Sequence, residues 1–546
     1  MKTYKAYILA ATSGLLFSIA FPPLPFAFLA FVFAVPLLFA LDQKPNHWFR
    51  LSYTFAFIQH LCSLWWIGSW QENTDPYLMV SGIVIVLFHP FFYFVLFGGY
   101  KFFRKRLNLD ASLMVFPLLW TLYDWLTSTT DFAFPWLSLG YTQVNSYYWN
   151  QIADIGGVLL LGLLIAFVNV CIYKLITIYS EHRLNFSAFF KLKDVRKYAS
   201  IALLLIILPM IYSVIRVNQF ENYQSKKNLK IAIIQPNIDP WNKWRVGIYD
   251  NISRHVRVQD SLIAQGQSFD LALWTETSIT YSSPETNSKP YNLPMLQSWA
   301  DEHKASIISG FSELVFFDKK ESAPSTAKKF GDENRYYQLY NASILISPHL
   351  YSDTSQIYRK MILTPFSERV PYVELFSFAQ SLLEWDVGIS NWGLGWEQHN
   401  LTCHTEDRGD FSLPSIICIE SIHPDFVRKF AKSGAELFTI ITNDSWFTFS
   451  PGPSQHFAIA QMRAIENRRY IARCSNAGIS GFISPTGAII KQADKFCDTG
   501  IISSLPAINE ITIYSSIGDM ILIQAILLAL ATSYILSIRN KKKLNK

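Results

Sequence analysis

Seven apolar stretches, each long enough to cross ~30 Å of hydrocarbon, crowd the first 217 residues, and an eighth follows only after the polar interval 218–516. A spanning segment must satisfy its own backbone hydrogen bonds, so this layout admits a helical bundle interrupted by one large water-facing domain. The stretches lie near 6–22, 24–42, 50–69, 78–99, 111–127, 155–178, 198–217 and 517–537. With 50% hydrophobic and 16% charged residues, the composition is that of a membrane protein. Only Pro22-Pro23 separates the first two stretches, which predicts a tight hairpin there. The start, Met1-Lys2-Thr3-Tyr4-Lys5 before an apolar run, imitates a signal peptide, but the spans that follow at once predict an uncleaved first helix.

Lys and Arg in short loops favour the cytoplasmic side. They occupy every second connection: Lys44 and Arg50, then Lys101 to Arg106, then Lys174 to Lys197, and finally the tail from Arg539 to Lys546. The alternate short loops, 71–77 and 128–154, contain none. Both termini are therefore expected in the cytoplasm and residues 218–516 outside it, with Arg216 snorkelling outward from the seventh span. The net charge of +6 is largely spent on this asymmetry, so nucleic acid is not an expected partner.

This divides the chain into a seven-helix part, 1–217, a soluble domain, 218–516, and an eighth helix with a basic tail, 517–546. In the soluble domain, short β-rich runs recur at Ile231–Gln235, Leu271–Trp274, Ser306–Gly310, Ala342–Ser347, Ser415–Ile419, Leu437–Thr442, Ile471–Ser475 and Gly481–Ile490. Amphipathic segments at Tyr249–Gln265, Leu293–His303 and Ser454–Arg469 alternate with them, which predicts a layered α+β domain. The charged segment Gly310–Asn341 reads as a solvated loop, and Pro485-Thr486-Gly487 as a turn between strands. Arg463 and Glu466, three apart on a helix, predict a local ion pair.

Three ionisable residues stand at marked positions: Glu276 closing Leu271-Ala272-Leu273-Trp274-Thr275-Glu276, Lys360 in Tyr358-Arg359-Lys360, and Cys418 ending Ser415-Ile416-Ile417-Cys418. A Glu, a Lys and a Cys point to nucleophilic acyl chemistry, in which the thiol attacks a carbonyl, the carboxylate moves the proton and the ammonium stabilises negative charge. The cysteines show no CxxC or Cys/His metal spacing, and a nucleophilic Cys418 must stay out of any disulfide.

The local words resemble those of the apolipoprotein N-acyltransferases, the membrane-embedded branch of the nitrilase superfamily. Ile231 to Asn237 followed by Lys243-Trp244 is similar to the family's first strand and its sequel. Trp274-Thr275-Glu276 matches the glutamate word, commonly Trp-Pro-Glu, with Thr275 in place of Pro. Tyr358-Arg359-Lys360 with Leu363-Thr364-Pro365-Phe366-Ser367-Glu368 follows the lysine word, with Ser367 where Gly is usual. Ile417-Cys418-Ile419-Glu420 departs from Cys-Tyr-Glu by Ile419, which removes an aromatic contact and leaves the thiol. Asn443 to Phe447, Gln455-His456, Arg463 to Glu466, Ser475 to Gly478 and Phe134-Pro135-Trp136-Leu137 are also close to family words.

The resemblance implies an α-β-β-α sandwich attached to an eight-helix transmembrane bundle in the inner membrane, with the sandwich on the periplasmic side. It implies a two-stage acyl transfer. Cys418 takes a fatty acyl chain from a membrane phospholipid as a thioester, then passes it to the α-amine of a diacylglyceryl-cysteine apolipoprotein. Glu276 is then the general base and Lys360 the oxyanion donor, aided by the backbone N–H of Ile419, with Glu368 and Glu420 orienting Lys360 or substrate and Trp244 beside the substrate path. His456 reads as structural, because the Glu-Lys-Cys set already covers the proton transfers. No metal, redox step or cofactor is required. Residues 372–392 are expected to form a lipid-facing gate, with an ordinary core helix as the alternative. Two competing functions use the same residues: a membrane-bound nitrilase-like amidase or hydrolase that gives the thioester to water, and a catalytically silent lipoprotein-binding scaffold.

Overall fold

The computed structural model describes residues 2–71, 74, 76–182, 185–244, 247–280, 292–331, 335–349, 356–365, 367–369, 371–372, 392–447 and 449–544. The chain forms two compact units, one of residues 1–70, 78–221 and 512–546, the other of residues 71–77 and 222–511.

The first unit is helical. Among the described residues, four helices are long and apolar enough to cross a membrane: Leu78–Arg104, Asn150–His182, Lys193–Glu221 and Met520–Arg539. Ala27–Gln43 with Pro45–Gly68 supplies a fifth if that pair, bent by 112°, is one span. The expected stretches at 6–22 and 111–127 are the helices Lys2–Ala20 and Leu109–Leu126, at the short limit for a span, the latter containing Pro117 and Asp124. The break before Ala34–Gln43 is stitched by Asn169, whose Nδ2 donates to Ala30 O (2.8 Å) and whose Oδ1 accepts from Ala34 N (2.8 Å). An interruption in an apolar helix persists where a neighbouring side chain takes up the freed backbone groups. Arg216 is paired within the helical unit. Its Nε bonds the buried Asp154 at Oδ2 (2.8 Å), and Tyr212 donates to the other carboxylate oxygen, so the buried carboxylate is satisfied inside the unit.

Among the described residues, the second unit contains two sheets and a small hairpin. The strands are β1 (Asn228–Gln235), β2 (Leu271–Leu273), β3 (Ser306–Phe317), β4 (Lys328–Lys329), β5 (Tyr336–Ile346), β6 (Ile357–Arg359), β7 (Leu401–Cys403), β8 (Phe411–Leu413), β9 (Ser415–Ile417), β10 (Phe438–Thr442), β11 (Ile471–Ser475), β12 (Gly481–Ile483), β13 (Ile489–Gln492) and β14 (Thr499–Pro506). The first sheet runs β14-β1-β2-β3-β5-β4, with β6 also on β5, and the second runs β13-β12-β11-β10-β9. β1, β2 and β3 are mutually parallel, as are β9, β10 and β11, which is why these strands are nearly continuous apolar runs. Ala232 and Ile234 on one face of β1 join a core with Ile252 and Leu262 of helix Ile248–Ala264 and Leu296 and Ala300 of helix Leu293–His303. On the other side β1 packs on β11, where Cys474 Sγ donates to Ile234 O at 3.2 Å. Phe457 of helix Gly452–Asn467 covers Gly481 of β12 and lies beneath Arg473 of β11. The layers are thus helix, sheet, sheet, helix.

The segment 310–341 is not the expected loop. β3 and β5 pair from Ile307↔Ile346 out to Phe317↔Tyr336, because Phe316, Phe317, Tyr336 and Tyr337 favour a pleated surface more strongly than the charged tip 318–321 opposes it. The predicted gate, 372–392, lies outside the described residues apart from Tyr372 and Trp392.

Candidate active site

Glu276 follows β2 at the carboxyl edge of the parallel strands, in a turn that Gly310 makes possible. A Cβ on Gly310 sits 2.7 Å from Thr275 O and 2.8 Å from Glu276 Cα, so only glycine lets β3 run this close. Gly310→Ala is therefore expected to displace Glu276 and cut turnover by ~10²-fold while the second sheet stays folded, as measured by activity together with thermal unfolding. Lys243, 1% exposed, donates to the main-chain oxygen of Glu276 (2.7 Å) and to Thr277 Oγ1 (2.7 Å). Burial brings the Lys243 ammonium down to about 7, against the opposing pull of the Glu276 carboxylate.

Lys360 follows β6, and its N–H still bonds Asn341 O of β5 at 2.8 Å. Its Nζ, buried at 1% exposure, meets two carboxylates: Glu276 Oε1 at 3.1 Å, and Glu368 at 2.8 and 2.9 Å. Asn341 Nδ2 bridges the same pair, donating to Glu276 Oε1 (2.8 Å) and Glu368 Oε1 (2.9 Å). Burial by itself would lower Lys360, but Glu276 and Glu368 together hold its ammonium above the usual lysine range. Burial likewise opposes ionisation of Glu368, and Lys360 outweighs it, keeping that carboxyl below its ordinary range. Thr364 adds two donors to Glu368 Oε2, from its N–H and its hydroxyl, each at 2.8 Å. The lysine is thus a fixed, charged group.

Cys418 follows β9 in a left-handed conformation (φ 51°), which stops the expected strand at Ile417 and turns the chain into the 3₁₀ helix Cys418–Ile422. Burial pushes its thiol well above the usual range, Glu276 adds to that rise, and Lys360 opposes it. A resting thiol in this setting is protonated, so attack on a carbonyl requires a base at hand.

Glu420 does not touch Lys360 Nζ or point to open space. It is fully buried, with Oε1 accepting from Tyr358 Oη (2.7 Å) and Met361 N (2.7 Å) and Oε2 from Ile417 N (2.8 Å), so it ties the strand before Cys418 to the chain after Lys360. Burial raises its carboxyl to about 7 despite those donors. Glu420→Leu is expected to lower stability by ~3 kcal/mol, since the donors from Tyr358, Met361 and Ile417 lose their buried acceptor, measured by denaturant unfolding. Ile419 is buried in the 3₁₀ helix, and Trp244 is half-buried with its ring 6.4 Å from that of Trp392.

The match of the whole chain to known proteins follows the same division. The apolipoprotein N-acyltransferase N-terminal domain model matches residues 13–171, and the carbon-nitrogen hydrolase model matches residues 230–507. The apolipoprotein N-acyltransferase of Chlorobaculum tepidum is 30% identical over 525 residues, covering 95% of this chain and 94% of that one. The chain belongs to the apolipoprotein N-acyltransferase family. Members from Geobacter metallireducens (28% identical, 94% of this chain and 92% of that one) and Rickettsia prowazekii (27%, 98% and 99%) are similar to it over nearly their whole lengths.

Within this acyltransferase-family chain the structure brings Glu276, Lys360 and Glu368 into direct contact, and Glu276 and Lys360 within electrostatic reach of Cys418. Sequence reasoning missed Asn341 and the part played by Lys243. Asn341 is the one amide in Tyr340-Asn341-Ala342, a polar residue inside an apolar strand, and that interruption was its signal. Arg463 and Glu466 form the expected pair, at 2.7 Å and fully buried.

Proposed function

We propose that this chain acylates apolipoproteins, moving a fatty acyl group from a membrane phospholipid, through a thioester on Cys418, to the N-terminal α-amine of a diacylglyceryl-cysteine protein. The observation that carries the reading is the buried Lys360–Glu276 contact of 3.1 Å beside the Cys418 turn, in a chain similar over nearly its full length to apolipoprotein N-acyltransferases.

In the first stage Glu276 takes the thiol proton, and the thiolate attacks the ester carbonyl. The oxyanion forms against the Lys360 ammonium and the N–H of Ile419. Its collapse breaks the acyl–oxygen bond, and protonated Glu276 returns the proton to the departing lysophospholipid oxygen. In the second stage the α-amine attacks the thioester, Glu276 takes the amine proton, and the thiol leaves protonated. A permanently charged Lys360 suits both stages, since each passes through an oxyanion. Glu368 and Asn341 hold the lysine and the base in register.

The distribution of basic loops supports an eight-span arrangement in the inner membrane, both termini cytoplasmic, with the domain 218–516 on the periplasmic side and 1–217 and 517–546 forming the bundle. A single cysteine introduced near residue 320 is expected to react with a membrane-impermeant maleimide in cells whose inner membrane is intact. Labelling only after that membrane is opened would overturn the orientation.

The reaction is tested with purified protein, phospholipid vesicles and a synthetic diacylglyceryl-cysteine peptide. The expected products are lysophospholipid and N-acylated peptide in equal amounts. Free fatty acid released without acylated peptide would favour a hydrolase, and no turnover of either substrate would favour a binding scaffold.

A further inference from the structure

We propose that His456 is a positioning residue for the nucleophile, acting on the Cys418 turn through the hydroxyl of Ser421. The inference rests on the reading of Cys418 as the nucleophile. Ser421 Oγ lies 2.7 Å from the main-chain oxygen of Cys418 and 2.9 Å from His456 Nε2. A carbonyl oxygen has no proton to give, so the single serine proton goes to Cys418 O, and His456 Nε2–H donates to Ser421 Oγ. At the other side of the ring, Nδ1 lies 2.9 Å from Asp444 Oδ1, and an ionised carboxylate only accepts, so this nitrogen also donates.

Asp444 is itself fixed. Arg473 Nη2 donates to its Oδ2 at 2.7 Å, and Thr442 Oγ1 donates to its Oδ1 at 3.0 Å. The 3.0 Å approach of Arg473 Nη2 to His456 Nδ1 is then two donors converging on one carboxylate. Burial opposes ionisation of Asp444, and Arg473 with His456 outweighs it, holding the carboxyl below its ordinary range. Ser421 and Arg473 are fully buried, and His456 and Asp444 are 4% and 5% exposed, so water does not replace any link.

The chain of donors ends on the carbonyl of Cys418, the residue that makes the left-handed turn. A non-glycine residue holds φ near 51° where its surroundings fix it, and the serine hydroxyl on this carbonyl is one of the fixing bonds, beside Glu420 on Ile417 N. The direction of the thiol toward Glu276 and Lys360, and the orientation of the following N–H of Ile419, both depend on that turn. His456 reaches the Cys418 turn through Ser421.

Four variants test this: Ser421→Ala, His456→Asn, His456→Gln and the double variant His456→Asn with Ser421→Ala. A glutamine amide reaches the place of Nε2 and can still donate to Ser421, whereas an asparagine amide reaches only Asp444. Single-turnover thioester formation at saturating phospholipid is expected to fall about ten-fold in Ser421→Ala and in His456→Asn, with KM unchanged. His456→Gln should stay within about three-fold of the parent. The double variant should be no slower than the slower single one, because both substitutions break the same chain. Equal losses in the Gln and Asn variants, a double loss equal to the product of the singles, or a change confined to KM would overturn the proposal. So would losses that follow each variant's unfolding midpoint in place of this order. Iodoacetamide alkylation of Cys418, read on its own peptide by mass spectrometry, should show the same ranking. That second readout decides the positioning claim even if the parent protein forms no acyl-thioester, which would count against the proposed reaction alone.

Discussion

Cys418→Ala is expected to abolish acyl transfer completely while the protein remains folded and membrane-inserted. In the proposed reaction alanine removes the atom that carries the acyl group, and the turn that places it is built by neighbours that the substitution leaves intact: Ser421 on the Cys418 carbonyl, Glu420 on Ile417 N. Cys418→Ser should be as inactive in practice, because serine's hydroxyl, far less acidic than a thiol, is a weak nucleophile in a site whose burial already disfavours the anion of the native thiol. Transfer is measured by lysophospholipid release, and folding by unfolding midpoint. Residual transfer at the parent rate in Cys418→Ala would remove this residue from the mechanism.

Lys360→Met is expected to have the second-largest effect, and in two quantities at once. Acyl-thioester formation should fall by ~10²-fold or more, the scale for losing an oxyanion donor. Stability should fall by ~3–5 kcal/mol, because Glu276 and Glu368 are left facing each other in a buried site with their shared cation gone and only the Asn341 amide between them. One carboxyl then takes up a proton, so the base is compromised as well. The two effects separate in the double variant Lys360→Met with Glu368→Gln, which removes one of the facing charges. Most of the stability should return and the activity should not. Recovery of activity alongside stability would show that Lys360 only balances charge.

The parts of this arrangement legible in the sequence are those written locally. Buried parallel strands are uninterrupted apolar runs, so β1, β2, β9, β10 and β11 stand out, and a polar residue just beyond such a run, as at Glu276 and Cys418, is placed at the strand edge by the chain itself. Glu368 follows Lys360 by eight residues, close enough for a single loop to fold the carboxylate back on the amine. Gly310 was not legible, and Asn341 only as a polar interruption of an apolar run, since their roles depend on β3 and β5 pairing through a segment whose charged tip reads as a loop. β14 was also hidden, because it pairs with β1 from the far end of the domain, Asn228 with Pro506, and a partner that distant leaves no local period. The span count falls short of the sequence reading because the stretches at 6–22 and 111–127 are helices at the short limit for a span, and those at 24–42 and 50–69 are a pair bent by 112°.

The central claim is a covalent acyl group on one sulfur. Purified protein incubated with phospholipid vesicles in the absence of any amine acceptor, quenched in acid and digested, should yield the Cys418 peptide heavier by one fatty acyl chain. That mass should disappear on treatment with neutral hydroxylamine or on later addition of a diacylglyceryl-cysteine peptide. An acyl adduct on any other residue, or lysophospholipid release with the Cys418 peptide never modified, would contradict the account.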